Sequence, residues 1–130
     1  MVVTDGYGRE DGAAGMARLL DREDRPDAVF AYNDLIAIGA MRTVTERGLR
    51  IPDDIAVVGF DDIEESRYTT TTLTTIAPDK EAIARLAVDS LVAQLAGEPV
   101  AEPRRPRPGY RLVVRESTTP GPGSGHPEDL

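Results

Sequence analysis

The chain has 130 residues, about 40% of them apolar, which suits one modest globular domain with a real core. Its net charge of −8 argues against DNA or RNA binding by this chain, because such sites need clustered cations. Cysteine is absent and no apolar run approaches the roughly 20 residues that span a bilayer, which excludes disulfides and membrane spans. The N-terminus lacks the pattern of a secretory signal, so we expect a cytoplasmic protein.

The first elements predicted along the chain are a helix and a short strand. Apolar residues recur at helical spacing from 9 to 20, with charged residues between them. A polar break follows, and Pro26 makes a continued helix improbable. The apolar run at 28–31 is bounded by turn residues, a pattern typical of a strand that is buried on both faces.

A second helix and a second buried strand come next. Asn33 or Asp34 can cap a helix that runs through Glu46, and Gly48 supplies its left-handed stop. The run at 55–60 is again short and apolar. Strand, helix and strand in so short a space form a βαβ unit, which predicts parallel pairing with a right-handed crossover.

The remainder predicts a strand, a long helix and a further strand. Thr and Ile favour extended backbone at 73–76, and the helix at 79–95 carries a broad apolar face without an evident partner. Residues 110–115 alternate like a partly exposed strand. The fold class is therefore α/β, a parallel sheet with flanking helices. Residues 1–118 form the domain, and we expect residues 119–130 to be a disordered tail.

Polar residues follow both strands of the βαβ unit. Open parallel sheets bind ligands at the carboxyl ends of their strands, which is where Asn33-Asp34 and Asp61-Asp62 fall. Tyr7 stands ahead of the first helix, where its ring could face the same crevice. Each residue also has a simpler interpretation: a helix cap for Asn33 or Asp34, a turn for the aspartate pair, and a core edge for Tyr7.

The chemistry of these side chains favours binding over catalysis. A carboxylate accepts bonds from two hydroxyls, an amide both donates and accepts, and a tyrosine ring covers an apolar face. The only histidine, His126, lies in the tail, so a nucleophilic triad lacks parts and zinc lacks ligands. Carboxylates could hold Mg²⁺, but no cofactor is expected. The basic run at 104–107 is interpreted as a solvated loop.

Four segments resemble one known family in order and spacing. They are 25–40 (RPDAVFAYNDLIAIGA), 48–62 (GLRIPDDIAVVGFDD), 73–76 (LTTI) and 112–117 (LVVRES). Together they look like the signature of LacI/GalR-type transcriptional regulators, from about Tyr7 to Thr118. The resemblance implies the carboxy-terminal part of a periplasmic-binding-protein-like effector-binding core.

The resemblance implies a cytoplasmic homodimer that clamps a small effector between two α/β subdomains. By motif position, Asp61 would bind effector hydroxyls, Asn33 would contact the effector, and Tyr7 would be the stacking aromatic. The residues that would face the dimer partner are Ile38, Met41, Arg42 and Tyr68. The family-level effector is a sugar, although a purine or another small polar ligand uses the same scaffold, and operator DNA would be contacted only by the full-length protein.

Members of the family carry a DNA-binding headpiece and a first subdomain ahead of the segment matched by this chain. In such proteins the helix matching 79–95 crosses back to that first subdomain, which would explain its unpartnered face. Thr72 stands where many members have proline, so we expect a looser crossover. The half of the effector clamp that the first subdomain supplies in such proteins has no counterpart in this segment. We therefore do not expect this chain alone to bind the effector tightly.

Three alternatives stay open at the level of the sequence. One is half of a transport-type sugar-binding protein with the same fold. Another is a Mg²⁺-dependent phosphoryl-transfer or receiver domain that uses Asp61 and Asp62, although Lys80 opens a helix instead of following a later strand. The third is a remnant that only dimerises. The regulator core remains the leading interpretation, and no enzymatic activity is predicted.

Overall fold

A computed structural model describes residues 1–97 and 108–120 of the chain. The elements, in chain order, are α1 (Arg9–Leu20), β1 (Ala28–Phe30), α2 (Asp34–Glu46), β2 (Ala56–Phe60), β3 (Thr74–Pro78), α3 (Lys80–Leu95) and β4 (Tyr110–Val113). Two short 3₁₀ helices complete them, Glu64–Arg67 after β2 and Glu116–Thr118 after β4. These bounds confirm each predicted helix and strand to within a few residues.

The strands form one sheet in the order β1-β2-β3-β4. The first three are parallel, with Phe30 beside Val58 and Phe60 beside Ile76. The predicted βαβ unit is therefore confirmed, as is the α/β class. The sheet is mixed, not wholly parallel, because β4 returns antiparallel to β3 and places Leu112 beside Ile76.

The core lies between the sheet and the pair formed by α1 and α2. Its largest fully buried apolar side chains are Met16, Val44, Ile55, Val57 and Leu73. The two helices approach so closely that a Cβ on Gly39 would lie 1.8 Å from the carbonyl oxygen of Arg9. Glycine is thus required at this crossing by packing, and it lets the backbones of the two helices meet.

The prediction that β1 is buried on both faces is wrong. Val29 packs against the core, but its neighbour Phe30 points to the other face and is 61% exposed. The reason is that α1 and α2 cover only one face of the sheet. No residue of α3 is buried, so α3 does not cover the other face in the described part of the chain.

Helix α3 forms as predicted, and its apolar side chains remain uncovered. The Asp79 side chain caps it by accepting a hydrogen bond from the backbone N–H of Ala82 at 2.9 Å. Among the residues of the predicted apolar face, Ile83, Leu91 and Leu95 are exposed. A helix with such a face needs a packing partner, and residues 1–97 and 108–120 supply none.

Some predictions fall outside the described residues. These are the basic run at 104–107, the position of His126, and the tail beyond residue 120. Among the helices of the described ranges, none is long and apolar enough to cross a membrane.

Candidate functional site

The carboxyl ends of β1 and β2 bring Asn33 and Asp61 to the same edge of the sheet. β1 and β2 are parallel, with Phe30 paired to Val58, so the residues that follow the two strands emerge at the same edge. This is the edge at which open α/β sheets bind their ligands. The structure thus supports the juxtaposition on which the predicted site depends.

Asn33 links the start of α2 to Tyr7. Its side-chain oxygen accepts a hydrogen bond from Ile36 N at 2.8 Å, which caps the helix. Its amide nitrogen donates to the carbonyl oxygen of Tyr7 at 3.1 Å. Asn33 rather than Asp34 is therefore the cap, and one of its two N–H groups already holds the segment that carries Tyr7.

A second tyrosine stands beside Tyr7 and was missed in the sequence. The rings of Tyr7 and Tyr32 have centroids 5.5 Å apart and are tilted by 43°. Both side chains are largely exposed, so the pair offers an open aromatic surface beside Asn33. The signal that could have found Tyr32 is its place directly before Asn33, at the same strand end.

Asp61 presents its carboxylate at the end of β2. Its backbone N–H donates to Ile76 O at 2.9 Å, and its φ of 116° lies in the region that favours glycine, so the turn is strained. Burial raises the pKa of this carboxyl, the charge of Asp34 adds to the rise, and Lys80 opposes it. Within the described residues no hydrogen bond reaches the carboxylate, so its capacity to accept hydrogen bonds is unused there.

Asp62 has the opposite environment. Its carboxylate is 7% exposed and accepts a hydrogen bond from Arg115 at 2.6 Å, with Arg67 at 3.3 Å and Arg111 at 3.9 Å. Burial would raise its pKa, but the hydrogen bonds and charges of Arg115 and Arg67 outweigh burial and lower it. The adjacent aspartates therefore divide their roles: Asp62 is engaged within the chain, whereas Asp61 is not.

Asp34 is a buried hub, a role that the sequence did not predict: there it was a possible helix cap or a member of the polar cluster after the first strand. Its carboxylate accepts from the hydroxyls of Thr75 at 2.6 Å and Ser66 at 2.7 Å, and from the backbone N–H of Ile63 at 3.0 Å. A Cβ on Gly59 would lie 2.2 Å from its Oδ1. Asp34 thereby ties α2, β3 and the loop after β2 together directly behind Asp61.

The predicted dimer residues lie in three different places: a surface hollow, the exposed face of α2 and the core. Ile38 and Tyr68 share a hollow of about 490 Å³, whose full lining is Arg9, Ile38, Glu64, Glu65, Tyr68 and Thr69. Arg42 is exposed and pairs with Glu46 on the same helix. Met41 is 5% exposed and belongs to the chain's own core, so it has no surface left for a partner.

A further cavity of about 340 Å³ runs between the N-terminal residues and β1, with Val2, Met16 and Phe30 among its mainly apolar lining. Asp61 does not line it, although Tyr32 does. Its mainly apolar lining does not suit a polar effector. In the described ranges no group of three or more His, Cys, Asp or Glu side chains is arranged to hold a metal ion.

Comparison with known proteins agrees with this geometry. The family profile of the periplasmic binding protein-like domain matches residues 2–118, which is most of the chain. The chain belongs to the periplasmic binding protein-like domain family. This confirms the fold implied by the sequence motifs, and the mixed four-stranded sheet with flanking helices is the form that the fold takes here.

Relatives of this periplasmic binding protein-like domain are transcriptional repressors. The ribose operon repressor of Haemophilus influenzae is 37% identical over 117 residues, which cover 90% of this chain and 33% of that protein. The chain thus spans about a third of the length of the curated relatives it matches. The resemblance to LacI/GalR-type regulators is confirmed, and the chain is part of a LacI-type effector-binding domain.

Solved structures lead to the same group. A LacI-family regulator from Sanguibacter keddieii matches with 46% identity and a TM-score of 0.81, over 91% of this chain and 45% of that one. A LacI-family transcriptional regulator from Arthrobacter sp. FB24, solved in complex with lactose, matches with 34% identity and a TM-score of 0.76. The latter match covers 86% of this chain and 42% of that chain.

Proposed function

We propose that the chain is the effector-sensing and dimerisation part of a LacI/GalR-type repressor, and that it binds a small polar ligand, a sugar, at the carboxyl edge of its sheet. Asp61 accepts hydrogen bonds from ligand hydroxyls. Asn33 contributes its remaining N–H and holds the segment of Tyr7, and the Tyr7–Tyr32 pair covers an apolar face of the ring. Sugar binding by the regulator from Arthrobacter supports this choice of ligand class.

The single observation that carries the proposal is the state of the Asp61 carboxylate. It lies at a strained strand end, partly buried, and receives no hydrogen bond from the described residues. Its oxygens remain accessible, because no buried side-chain oxygen among the described residues lacks a hydrogen-bond partner. A ligand that supplies two hydroxyl donors could therefore reach this carboxylate, and positive φ values cluster at functional positions.

The proposal also assigns the chain's place in the cell and its other partners. The curated relatives are repressors, which act on DNA, so we place the whole protein in the cytoplasm. This chain itself would contact no DNA, since its net charge is −8. It would need no cofactor and catalyse no reaction. Residues 1–118 would form the sensing unit, with residues 119–130 as a tail.

Substitution of Asp61 tests the ligand site. Asp61→Asn keeps the size of the side chain and suits a positive φ, but removes the charge that strengthens hydrogen bonds to hydroxyls. In the parent chain we expect lactose, ribose or sucrose to raise the melting temperature. In the variant we expect this rise to disappear, or the apparent affinity derived from it to fall about tenfold. Asp24→Asn, on an exposed pair with Arg22, is the matched control. Equal sugar responses in both variants would contradict the site.

Dimerisation is proposed through the hollow that contains Ile38 and Tyr68. Ile38→Asp would place a charge without a partner in the contact, and we expect dimer affinity to fall by several kcal/mol, on the order of 3 or more. Sedimentation velocity measures the change. Ala84→Asp, on the exposed α3, is the control and should sediment like the parent chain. A dimer that tolerates Ile38→Asp would remove α2 from the interface.

A further inference from the structure

Four cationic side chains converge on the end of β2, on a chain that is acidic overall. Arg67, Arg111 and Arg115 approach the Asp62 carboxylate at 3.3, 3.9 and 2.6 Å. The ammonium group of Lys80, the only lysine of the sequence, donates to the Asp62 backbone oxygen at 3.4 Å. These residues come from the 3₁₀ helix after β2, from β4 and the segment after it, and from the start of α3.

The charges of this group do not balance. The carboxylates at this strand end are Asp34, Asp61 and Asp62, so the four cations leave a surplus of one positive charge. The chain as a whole carries a net charge of −8. A local positive surplus attracts anions.

The surplus charge resides on side chains that still have donors to offer. Arg115 is largely committed, because it donates both to Leu73 O at 2.8 Å and to Asp62. Arg67 and Arg111 are 57% and 71% exposed, and within the described residues each has Asp62 as its only carboxylate partner. A guanidinium carries five N–H donors in a planar fork that matches carboxylate and phosphate groups.

The position of these donors relates them to the ligand site. Arg111 is paired with Ala77, and Phe60 with Ile76, so Arg111 lies level with position 61 across β3. Lys80 is close enough to Asp61 for its charge to favour the ionised carboxyl there. A ligand bound to Asp61 through its hydroxyls would therefore have Arg67, Arg111 and Lys80 on one side.

We propose that Arg67, Arg111 and Lys80 form an anion subsite beside Asp61, so that the effector is a polyol that carries an acid group, a sugar acid or a sugar phosphate. The proposal rests on the sugar-binding function given above and narrows it to a charged ligand. Asp61 selects hydroxyls and the three cations select the acid group. Neutral sugars lack the second contact.

Titrations of the isotopically labelled chain, followed by NMR, test this subsite with four probes: glucose, glucuronate, glucose 6-phosphate and inorganic phosphate. We expect glucuronate or glucose 6-phosphate to bind about tenfold more tightly than glucose, as one added charge-assisted contact allows. Comparison of the affinities for glucuronate and glucose 6-phosphate shows which of the two acid groups, carboxylate or phosphate, the subsite prefers. Inorganic phosphate alone should shift the backbone resonances of Asp62, Arg67 and Arg111.

Arg111→Gln should abolish both the phosphate response and the preference for charged sugars. The side chain is exposed, so the variant should fold. Arg85→Gln, on an exposed pair with Glu81, is the matched control and should behave like the parent. Glucose binding as tight as that of its charged analogues overturns the subsite and leaves the sugar-binding proposal standing. Phosphate binding without binding of any sugar leaves an anion site standing and overturns the sugar-binding proposal. The absence of a response to all four probes overturns both proposals.

Discussion

Individual side chains at one strand end have opposite environments although they are adjacent in the chain. Asp62 is fixed by Arg115, and its pKa is lowered because this pairing outweighs burial. Asp61 is partly buried without such a partner, and burial, with the charge of Asp34, raises its pKa. This contrast is the reason for which we propose Asp61, and not Asp62, as the residue that binds the ligand.

Asp34 should be essential for stability. Asp34→Ala leaves the hydroxyls of Thr75 and Ser66 and the N–H of Ile63 without their acceptor in a buried setting. We expect the free energy of unfolding, measured with urea, to fall by about 3 kcal/mol. Asp24→Ala, which breaks an exposed pair with Arg22, should leave the free energy of unfolding close to that of the parent chain. A similar small loss for Asp34→Ala would show that the hub contributes little.

The sequence predicts these residues unequally because their contacts differ in range. The cap at Asn33 could be predicted, since capping joins a side chain to an N–H three positions away. The role of Asp34 could not, because Thr75 is 41 positions distant in the chain. The same holds for Asp62 and Arg115, which are 53 positions apart. Only the folded sheet brings such partners together.

Among the elements, helices α1 and α2 are joined by a contact that only glycine permits. At two places, Gly39 against Arg9 and Gly12 against Ile36, an added Cβ would lie within about 2 Å of a carbonyl oxygen. The predicted helical periodicity is correct for both helices. Periodicity shows which residues are apolar, however, and does not show that the backbones approach so closely.

Gly39→Ala should therefore separate the two helices. We expect a loss of about 2 kcal/mol or more in unfolding free energy, because the clash is with backbone and cannot be relieved by a rotamer change. Gly109→Ala, where no heavy atom of the described residues lies within 4 Å of the added Cβ, is the control and should change stability by less than about 0.5 kcal/mol. Equal stability of the two variants would contradict the close crossing.

Strand β1 shows where element prediction fails. A short apolar run predicts burial, but the exposure of Phe30 depends on whether a helix covers the second face of the sheet. The apolar face of α3 is the complementary case: its residues were predicted, whereas no partner for it is present in residues 1–97 and 108–120. Burial is a property of neighbouring elements, so a strand's own sequence cannot determine it.

At the scale of the whole molecule, fold and candidate site follow from one topological fact. Parallel strands β1, β2 and β3 end at a single edge, and that edge collects Asn33, Asp61 and the cations around Asp62. The family profile across residues 2–118 and the repressor relatives agree with a sensing role. The chain matches about a third of those relatives' length, so the proposed response of a complete regulator extends beyond this domain.

The measurement that tests the central claim most directly is an NMR map of neutral sugar binding on the labelled chain, with lactose and ribose as probes. The account predicts saturable shifts centred on the backbone amides of Tyr7, Asn33 and Asp61, and their loss in Asp61→Asn. Shifts that centre instead on the apolar groove beside Val2 and Phe30, or that persist unchanged in Asp61→Asn, would contradict it.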